Sequence, residues 1–339
     1  MDFLRRLLGL PPSSSATPEK DVITVTHGDV EPASPPEPVI EPAVRSSLLS
    51  PSDTLPIPPT SDLMALAGTR PLPPLETVVP KPGQRLIFGQ LSDVGMVRGN
   101  NQDAMLSLVA SSSTSDDLPD FGLFIVADGM GGHHDGEKAS AITVRIVAEY
   151  ILEEIYVALL KQKMNDPDRP TISDILQAAV QKANETVTEE IPEGGTTATV
   201  TVVLGDLAYI AHVGDSRAYL ITDEGIEQVT RDHSLVQRLI ELDQLTPAEA
   251  IDHPQRNVLY RAIGQSDSLD VDAVTRRLSP RARLLLCSDG LWNLVSEETL
   301  AEVVSKHADP QEACSTLVKM ANERGGPDNI TVILAQVPG

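Results

Sequence analysis

With 339 residues, 41% of them hydrophobic, the chain is long enough to bury a full core, as one large domain or two small ones. Its 49 acidic residues against 26 basic ones leave a formal charge of −23. That balance argues against non-specific binding to nucleic acid or anionic lipid and favours a cation or a basic partner. Only Cys287 and Cys314 occur, far apart and without a CxxC pair, so neither a disulfide framework nor a zinc ribbon is indicated and a reducing, cytoplasmic setting is expected. No apolar run approaches the ~20 residues of a membrane span, and no transmembrane segment is expected.

At the N-terminus, Arg5 and Arg6 interrupt a very short apolar stretch that has no cleavage site, so it reads as a frayed end and not a signal peptide. Residues 11–85 are crowded with Pro, Ser, Thr and Glu, and sixteen of the 27 prolines lie at or before residue 80. Each proline fixes φ and removes a donor, and the apolar residues are too scattered to offset the entropy of ordering. A disordered leader over 1–85 is expected, with polyproline II character in places.

From residue 86 to 339 apolar runs alternate with turn clusters, the pattern of one packed domain. In chain order, strands are predicted over Arg85–Leu91, Gly122–Ala127, Thr197–Leu204, Ala208–Val213, Ala218–Thr222, Arg283–Cys287 and Ile330–Gln336, several rich in Val, Ile and Thr. Helices are predicted over Glu137–Lys163, Ile172–Glu190, His233–Leu242, Ser296–His307 and Pro310–Arg324, the first two with long i, i+3, i+4 apolar stripes. Leu204-Gly-Asp-Leu207 reads as a hairpin turn, which makes part of the sheet antiparallel. The mixture predicts a layered arrangement in which helices cover sheets that also pack on each other.

Four of these strands begin or end at an aspartate beside glycine or asparagine, namely Asp128-Gly129, Asp215 after Gly214, Asp289-Gly290 and Asp328-Asn329. A fifth acidic turn, Arg98-Gly-Asn-Asn-Gln102-Asp103, follows the first strand. One such pair is an ordinary turn, since both residue types tolerate φ > 0. Several carboxylates on adjacent strand edges repel one another, and a bound hard cation is the natural compensation. The donors are all oxygens with no His/Cys cluster, so the chemistry points to Mg²⁺ or Mn²⁺. Two such ions a few ångströms apart activate a water and stabilise a transferring phosphoryl group without a protein nucleophile.

At these residues the sequence resembles the type 2C metal-dependent protein phosphatases, the PPM family, and especially its bacterial members. The resemblance runs from about Leu91 to Val337 through Ser92-Asp-Val-Gly-Met-Val-Arg98-Gly-Asn-Asn-Gln102-Asp103, Asp128-Gly-Met-Gly-Gly-His133, Val213-Gly-Asp215-Ser-Arg-Ala-Tyr219, His253-Pro-Gln-Arg-Asn257, Ser288-Asp289-Gly-Leu-Trp292 and Gly326-Pro-Asp328-Asn-Ile-Thr-Val332, in the family's order. It implies an α+β fold, a four-layer α-β-β-α sandwich with two central antiparallel sheets. The implied activity is metal-dependent hydrolysis of phosphoserine and phosphothreonine on proteins. Asp128 would bridge two metals, Gly129 would offer its carbonyl, and Asp289 and Asp328 would complete the second site. Arg98 would grip substrate phosphate. Asp215 would hold a third, looser ion, with Asn257 standing where some relatives have a serine. Residues 225–262 would form a mobile flap beside the site.

Two positions depart from the family pattern. Gln102-Asp103 replaces Glu-Asp, so one metal or water contact would come from a neutral amide. Met130 occupies the place where eukaryotic members carry a candidate general acid, and His133 is the nearest substitute. The resemblance further implies phosphorylated proteins as partners, with Ser/Thr kinases and their targets among them, and a monomer. A cysteine-dependent phosphatase is excluded because the residue six after Cys287 is Asn293, not arginine. A phosphatase-like domain acting as a signalling binding module is the alternative, and the intact Asp128, Asp289 and Asp328 argue against it.

Overall fold

In the computed structural model, residues 85–112, 118–132, 134–164 and 168–338 are described. The leader expected over 1–85 therefore lies outside the described residues, Arg85 excepted, and so does His133. Two sheets of antiparallel strands form the centre. The first runs in the order β1 (Ile87–Asp93), β11 (Ile330–Gln336), β10 (Arg283–Cys287), β7 (Arg217–Thr222), β8 (Gly225–Gln228). The second runs β2 (Asp103–Ala110), β3 (Phe121–Met130), β5 (Ala198–Leu204), β6 (Leu207–Val213), β9 (Asp272–Arg277), with β4 (Gly195–Thr196) paired to the end of β3.

The central strands are buried on both faces, and their alternation assigns each side chain to a layer. Along β3, Leu123, Ile125 and Ala127 pack under helices α1 (Asp135–Ile151) and α2 (Ile172–Glu190), while Phe124 and Val126 face the other sheet. Along β10, Leu284 and Leu286 point to that same inter-sheet core, whereas Leu285 and Cys287 meet the helices that cover the first sheet. Those later helices are α5 (Glu297–Lys306) and α6 (Pro310–Glu323). The result is the expected α-β-β-α sandwich. Each fully buried leucine or isoleucine contributes roughly 1.5–3 kcal/mol.

Local chemistry explains where the helices begin. Thr171 and Asp174 form a reciprocal capping box at the start of α2, and Asp309 caps α6 ahead of Pro310. The helix expected over Glu137–Lys163 is not uniform. It is α-helical to Ile151, passes through a π-helical segment at Leu152–Tyr156, and resumes over Val157–Leu160. The buried Ile151, Ile155 and Leu159 recur every four residues, slightly more than one α turn, and the wider π turn takes up that drift so that all three face the core.

Strands β2, β4, β8 and β9 were not anticipated from the sequence. The hairpin at 204–207 is as expected, with Leu204 opposite Leu207 and Gly205 at φ +62°. Between β8 and β9 the chain makes two short helices, α3 (Leu235–Glu241) and α4 (Pro247–Ile251), neither with a buried residue. Residues 229–262 of the segment expected to be a flap, 225–262, lie here, whereas its first four residues form β8 of the first sheet. Among the described residues no helix is long and apolar enough to cross a membrane.

Candidate metal centre

The aspartates singled out above come from both sheets and meet at one end of the sandwich. Antiparallel register sets Asp103 at the start of β2 directly opposite Asp128 near the end of β3. The Ser288 hydroxyl, just past the end of β10, donates to Asp103 Oδ2 across 2.8 Å and so ties the two sheets together at this point. Asp289 follows Ser288 and opens a single helical turn over Asp289–Trp292. Asp328 stands two residues ahead of β11, where Arg98 Nη2 lies 2.7 Å from its Oδ2.

Backbone packing fixes these positions closely. The Gly129 N–H donates to the Gln102 carbonyl at 3.1 Å, and a Cβ on Gly129 would meet the Gly136 carbonyl oxygen at 2.2 Å, so only glycine fits between β2 and the start of α1. Asn329 clips the loop that carries Arg98. Its Oδ1 accepts from the Gln102 N–H at 2.8 Å, and its Nδ2 donates to the carbonyls of Val94 and Asn100, each at 2.9 Å. The Gln102 side chain is buried and its Nε2 approaches the Gly131 carbonyl at 3.5 Å, the loop that follows Asp128.

Asp215 lies on the β6–β7 turn and is buried. Arg217, the cation best placed to neutralise it in a purely structural role, is instead forked onto Asp232, with Nη2 at 2.7 Å and Nε at 3.0 Å. The same guanidinium stacks on the Trp292 ring at 3.6 Å, and Trp292 Nε1 donates to the Asp215 carbonyl at 3.0 Å. The turn is thus held by its backbone and neighbours, and Arg217, whose charge partly offsets the Asp215 carboxylate, gives its hydrogen bonds to Asp232.

The electrostatics of the cluster are unfavourable without a cation. Burial, then the charges of Asp103, Asp289 and Asp215, push the Asp128 carboxyl well above the usual range. Burial, then Asp328 and Asp103, raise Asp289 to about 7. Burial, with Asp328 adding to it, raises Asp103 to about 6. Asp215 is raised well above its ordinary value by burial and then by Asp289. Asp103 Oδ1 is buried with no hydrogen-bond partner. Four mutually repelling carboxylates and an orphaned buried oxygen fit a hard divalent cation, which would supply both the missing charge and the missing partner. Among the described residues, no group of three or more His, Cys, Asp or Glu side chains is placed so that it could hold a metal ion by itself. Mg²⁺-like ions keep several waters and take one or two carboxylates each.

The family model described as protein phosphatase 2C matches residues 97–323. The chain belongs to the protein phosphatase 2C family. It is 37% identical over 250 residues to the protein phosphatase PhpP of Streptococcus pneumoniae, covering 73% of this chain and 96% of that protein. The crystal structure of the serine/threonine phosphatase PstP/Ppp of Mycobacterium tuberculosis matches with a TM-score of 0.61 at 32% identity, covering 75% of this chain and all (100%) of that one. A PstP catalytic domain solved in complex with two manganese ions matches with a TM-score of 0.59 at 31% identity, covering 75% and 99%. As a member of the family the chain is a protein serine/threonine phosphatase, and its substrates are phosphoproteins.

Within this phosphatase the structure brings together Arg98, Gln102, Asp103, Asp128, Gly129, Asp289 and Asp328, with Asp215 beside Asp289. Sequence reading passed over three residues that shape the site: Ser288, Asn329 and His233. The first two sit inside motifs already noted, next to Asp289 and Asp328, and their roles as sheet tie and loop clip depend on partners 185 and 227 residues away. His233 had a weaker signal, a histidine inside the run Arg231-Asp-His-Ser234 where the flap begins.

Proposed function

We propose that the chain hydrolyses phosphoserine and phosphothreonine on proteins with two Mn²⁺ or Mg²⁺ ions held at this end of the sandwich, by direct attack of water and with no phosphoenzyme. The observation that carries the reading is the half-buried pair Asp103 and Asp128, opposite each other in register, joined by Asp289 and carrying the orphaned Asp103 oxygen. Asp128 would be shared by the two ions, with the Gly129 carbonyl on one of them and Asp289 and Asp328 on the other; Asp103 and Gln102 would contribute to the surrounding contacts. When bound, such ions supply Lewis acidity, a water of lowered pKa and neutralisation of phosphoryl charge.

The chain's own residues do the rest. Arg98 takes the phosphate: its guanidinium is held firmly protonated by the hydrogen bond to Asp328, and its remaining N–H groups form a planar fork suited to two phosphoryl oxygens. His133 is assigned as the donor of the proton that the leaving serine or threonine oxygen needs. Asp215 would hold a third, more weakly bound ion, with Asn257 as a further oxygen donor on the flap. We place the phosphatase in the cytoplasm as a monomer acting on Ser/Thr kinases and their targets. The leader over 1–85 is proposed as a spacer ahead of a catalytic domain over 86–339. The binding-module reading gains no support from this cluster, because a dead domain has no use for buried, mutually repelling carboxylates.

The test is release of p-nitrophenol from p-nitrophenyl phosphate by the full chain, expected to require Mn²⁺ and to stop on addition of chelator. Absence of any metal-dependent turnover would refute the catalytic reading. Gln102→Glu supplies a separate check. It exchanges an amide donor facing the Gly131 carbonyl for one more negative charge, so in chelator the melting temperature is expected to fall by about 2–4 °C per kcal/mol lost. In Mn²⁺ the loss should be recovered and the apparent metal affinity raised. A lower Mn²⁺ affinity would show that residue 102 does not face the ions.

A further inference from the structure

His233 is buried at the base of the flap and makes contacts in four directions, none of which the two-ion chemistry uses. Its backbone joins the two ends of the flap to the body: the N–H donates to the Gly214 carbonyl at 2.7 Å and the carbonyl accepts from the Tyr260 N–H at 3.0 Å. Next to it, Ser234 and Leu259 form an antiparallel bridge and the Leu235 N–H donates to Val258 at 2.7 Å. The imidazole Nδ1 accepts the Gly214 N–H at 3.1 Å. That fixes the ring proton on Nε2, which faces Asp272 Oδ2 at 3.2 Å. Arg261, on the outgoing limb of the flap, donates to Asp272 Oδ1 and to Asp270 Oδ2, each at 2.8 Å, with its Nη1 3.2 Å from His233 Nε2. The His212 ring stacks on the other side at 5.0 Å and directs Nε2 to the Gly214 and Arg231 carbonyls, both at 3.1 Å.

Both polar groups of Gly214 are therefore gripped by histidines. Gly214 adopts φ +107°, and a Cβ there would meet Thr197 Cγ2 at 2.5 Å, so only glycine fits at this turn and its hold comes from the histidine contacts. The residue it delivers is Asp215. We propose that His233 is a positioning residue that locks the Gly214–Asp215 turn to the base of the flap, so that the placement of the Asp215 carboxylate follows the placement of the flap. The functional consequence rests on the reading of Asp215 as a working carboxylate. The lock itself does not. Coupling of this kind is reciprocal in binding free energy: whatever orders the flap, such as a bound phosphoprotein, also orders Asp215, and a cation at Asp215 also orders the flap.

Two substitutions separate the roles of the ring's nitrogens. In His233→Asn the amide oxygen replaces Nδ1 and can accept the Gly214 N–H, but nothing reaches Asp272. In His233→Gln the amide reaches the Nε2 position and Asp272, but the buried Gly214 N–H loses its acceptor. In the metal-free full chain, exchange of the Gly214 amide is expected to be about tenfold or more faster in His233→Gln than in His233→Asn, from the cost of an unsatisfied buried donor. With Mn²⁺ present, kcat on a phosphothreonine peptide should fall in the glutamine variant and be largely rescued in the asparagine variant, at matched melting temperatures. Equal Gly214 exchange in the two variants, or turnover losses that follow only their melting temperatures, would overturn the lock. Faster Gly214 exchange in the glutamine variant with no effect on turnover, together with full activity of Asp215→Ala, would instead overturn the functional reading of Asp215 and leave the lock standing.

Discussion

Asp128→Ala is expected to abolish phosphatase turnover, by at least about 10³-fold, because several kcal/mol of charge stabilisation at the reacting phosphoryl group is lost with the ligand shared by both ions. The fold is expected to survive. The Asp128 backbone N–H is held by the Thr197 hydroxyl at 2.9 Å, and that contact does not involve the carboxylate. Desolvation, and then the neighbouring charges of Asp103, Asp289 and Asp215, disfavour the charged form of the carboxylate. In chelator, then, removing it should leave the melting temperature unchanged or raise it, whereas in Mn²⁺ the stabilisation seen with the parent chain should disappear. Thermal melts with and without Mn²⁺, paired with p-nitrophenyl phosphate turnover, measure both. More than a trace of Mn²⁺-dependent turnover in the variant would remove Asp128 from the metal site.

Asp215→Ala should produce the second largest effect, and a more selective one. Trp292 holds the Asp215 carbonyl, Arg217 is forked onto Asp232, and the histidines grip Gly214, so these contacts remain when the side chain is truncated and only the carboxylate's own bond to its backbone is lost. The melting temperature and the two tighter Mn²⁺ binding events are expected to persist. Turnover of phosphopeptides should drop by about tenfold or more, with loss of one ion's charge stabilisation. Calorimetric titration should show the weakest binding event gone. Unchanged stoichiometry with unchanged turnover would make Asp215 a turn residue only.

Much of this was legible in the sequence because the site is written at strand ends. Asp128, Asp289 and Asp328 each adjoin a strongly apolar, two-face-buried strand, so the strand and the carboxylate at its edge are visible together. The missed strands are the ones whose surroundings erase the pattern. β2 is only partly buried along its whole length, with no alternation, and lies at a sheet edge directly after a polar turn. β9, at the opposite edge, alternates but carries Arg276 and Arg277 at its end, and β8 has four residues. Edge strands can afford such sequences since one side pairs with nothing. The β1–β2 loop clip and the His233 lock were invisible for another reason. Each joins residues brought together only by tertiary packing, Asn329 to Gln102 and His233 to Gly214 and Asp272, and no local spacing encodes such a meeting.

The repelling carboxylates also make the metal site testable without any substrate. Asp289, raised to about 7, and Asp103, raised to about 6, with Asp128 and Asp215 higher than ordinary carboxylates, hold protons near neutrality that a bound divalent ion must displace. Calorimetric titration of Mn²⁺ into the metal-free chain at pH 6, in buffers of different ionisation enthalpy, counts those protons directly. Net proton release is expected at pH 6, smaller at pH 8 where Asp103 and Asp289 are already ionised, and weaker Mn²⁺ binding is expected at the lower pH. Failure to bind Mn²⁺, or binding at pH 6 with no proton released, would contradict the assignment of this cluster as the metal centre.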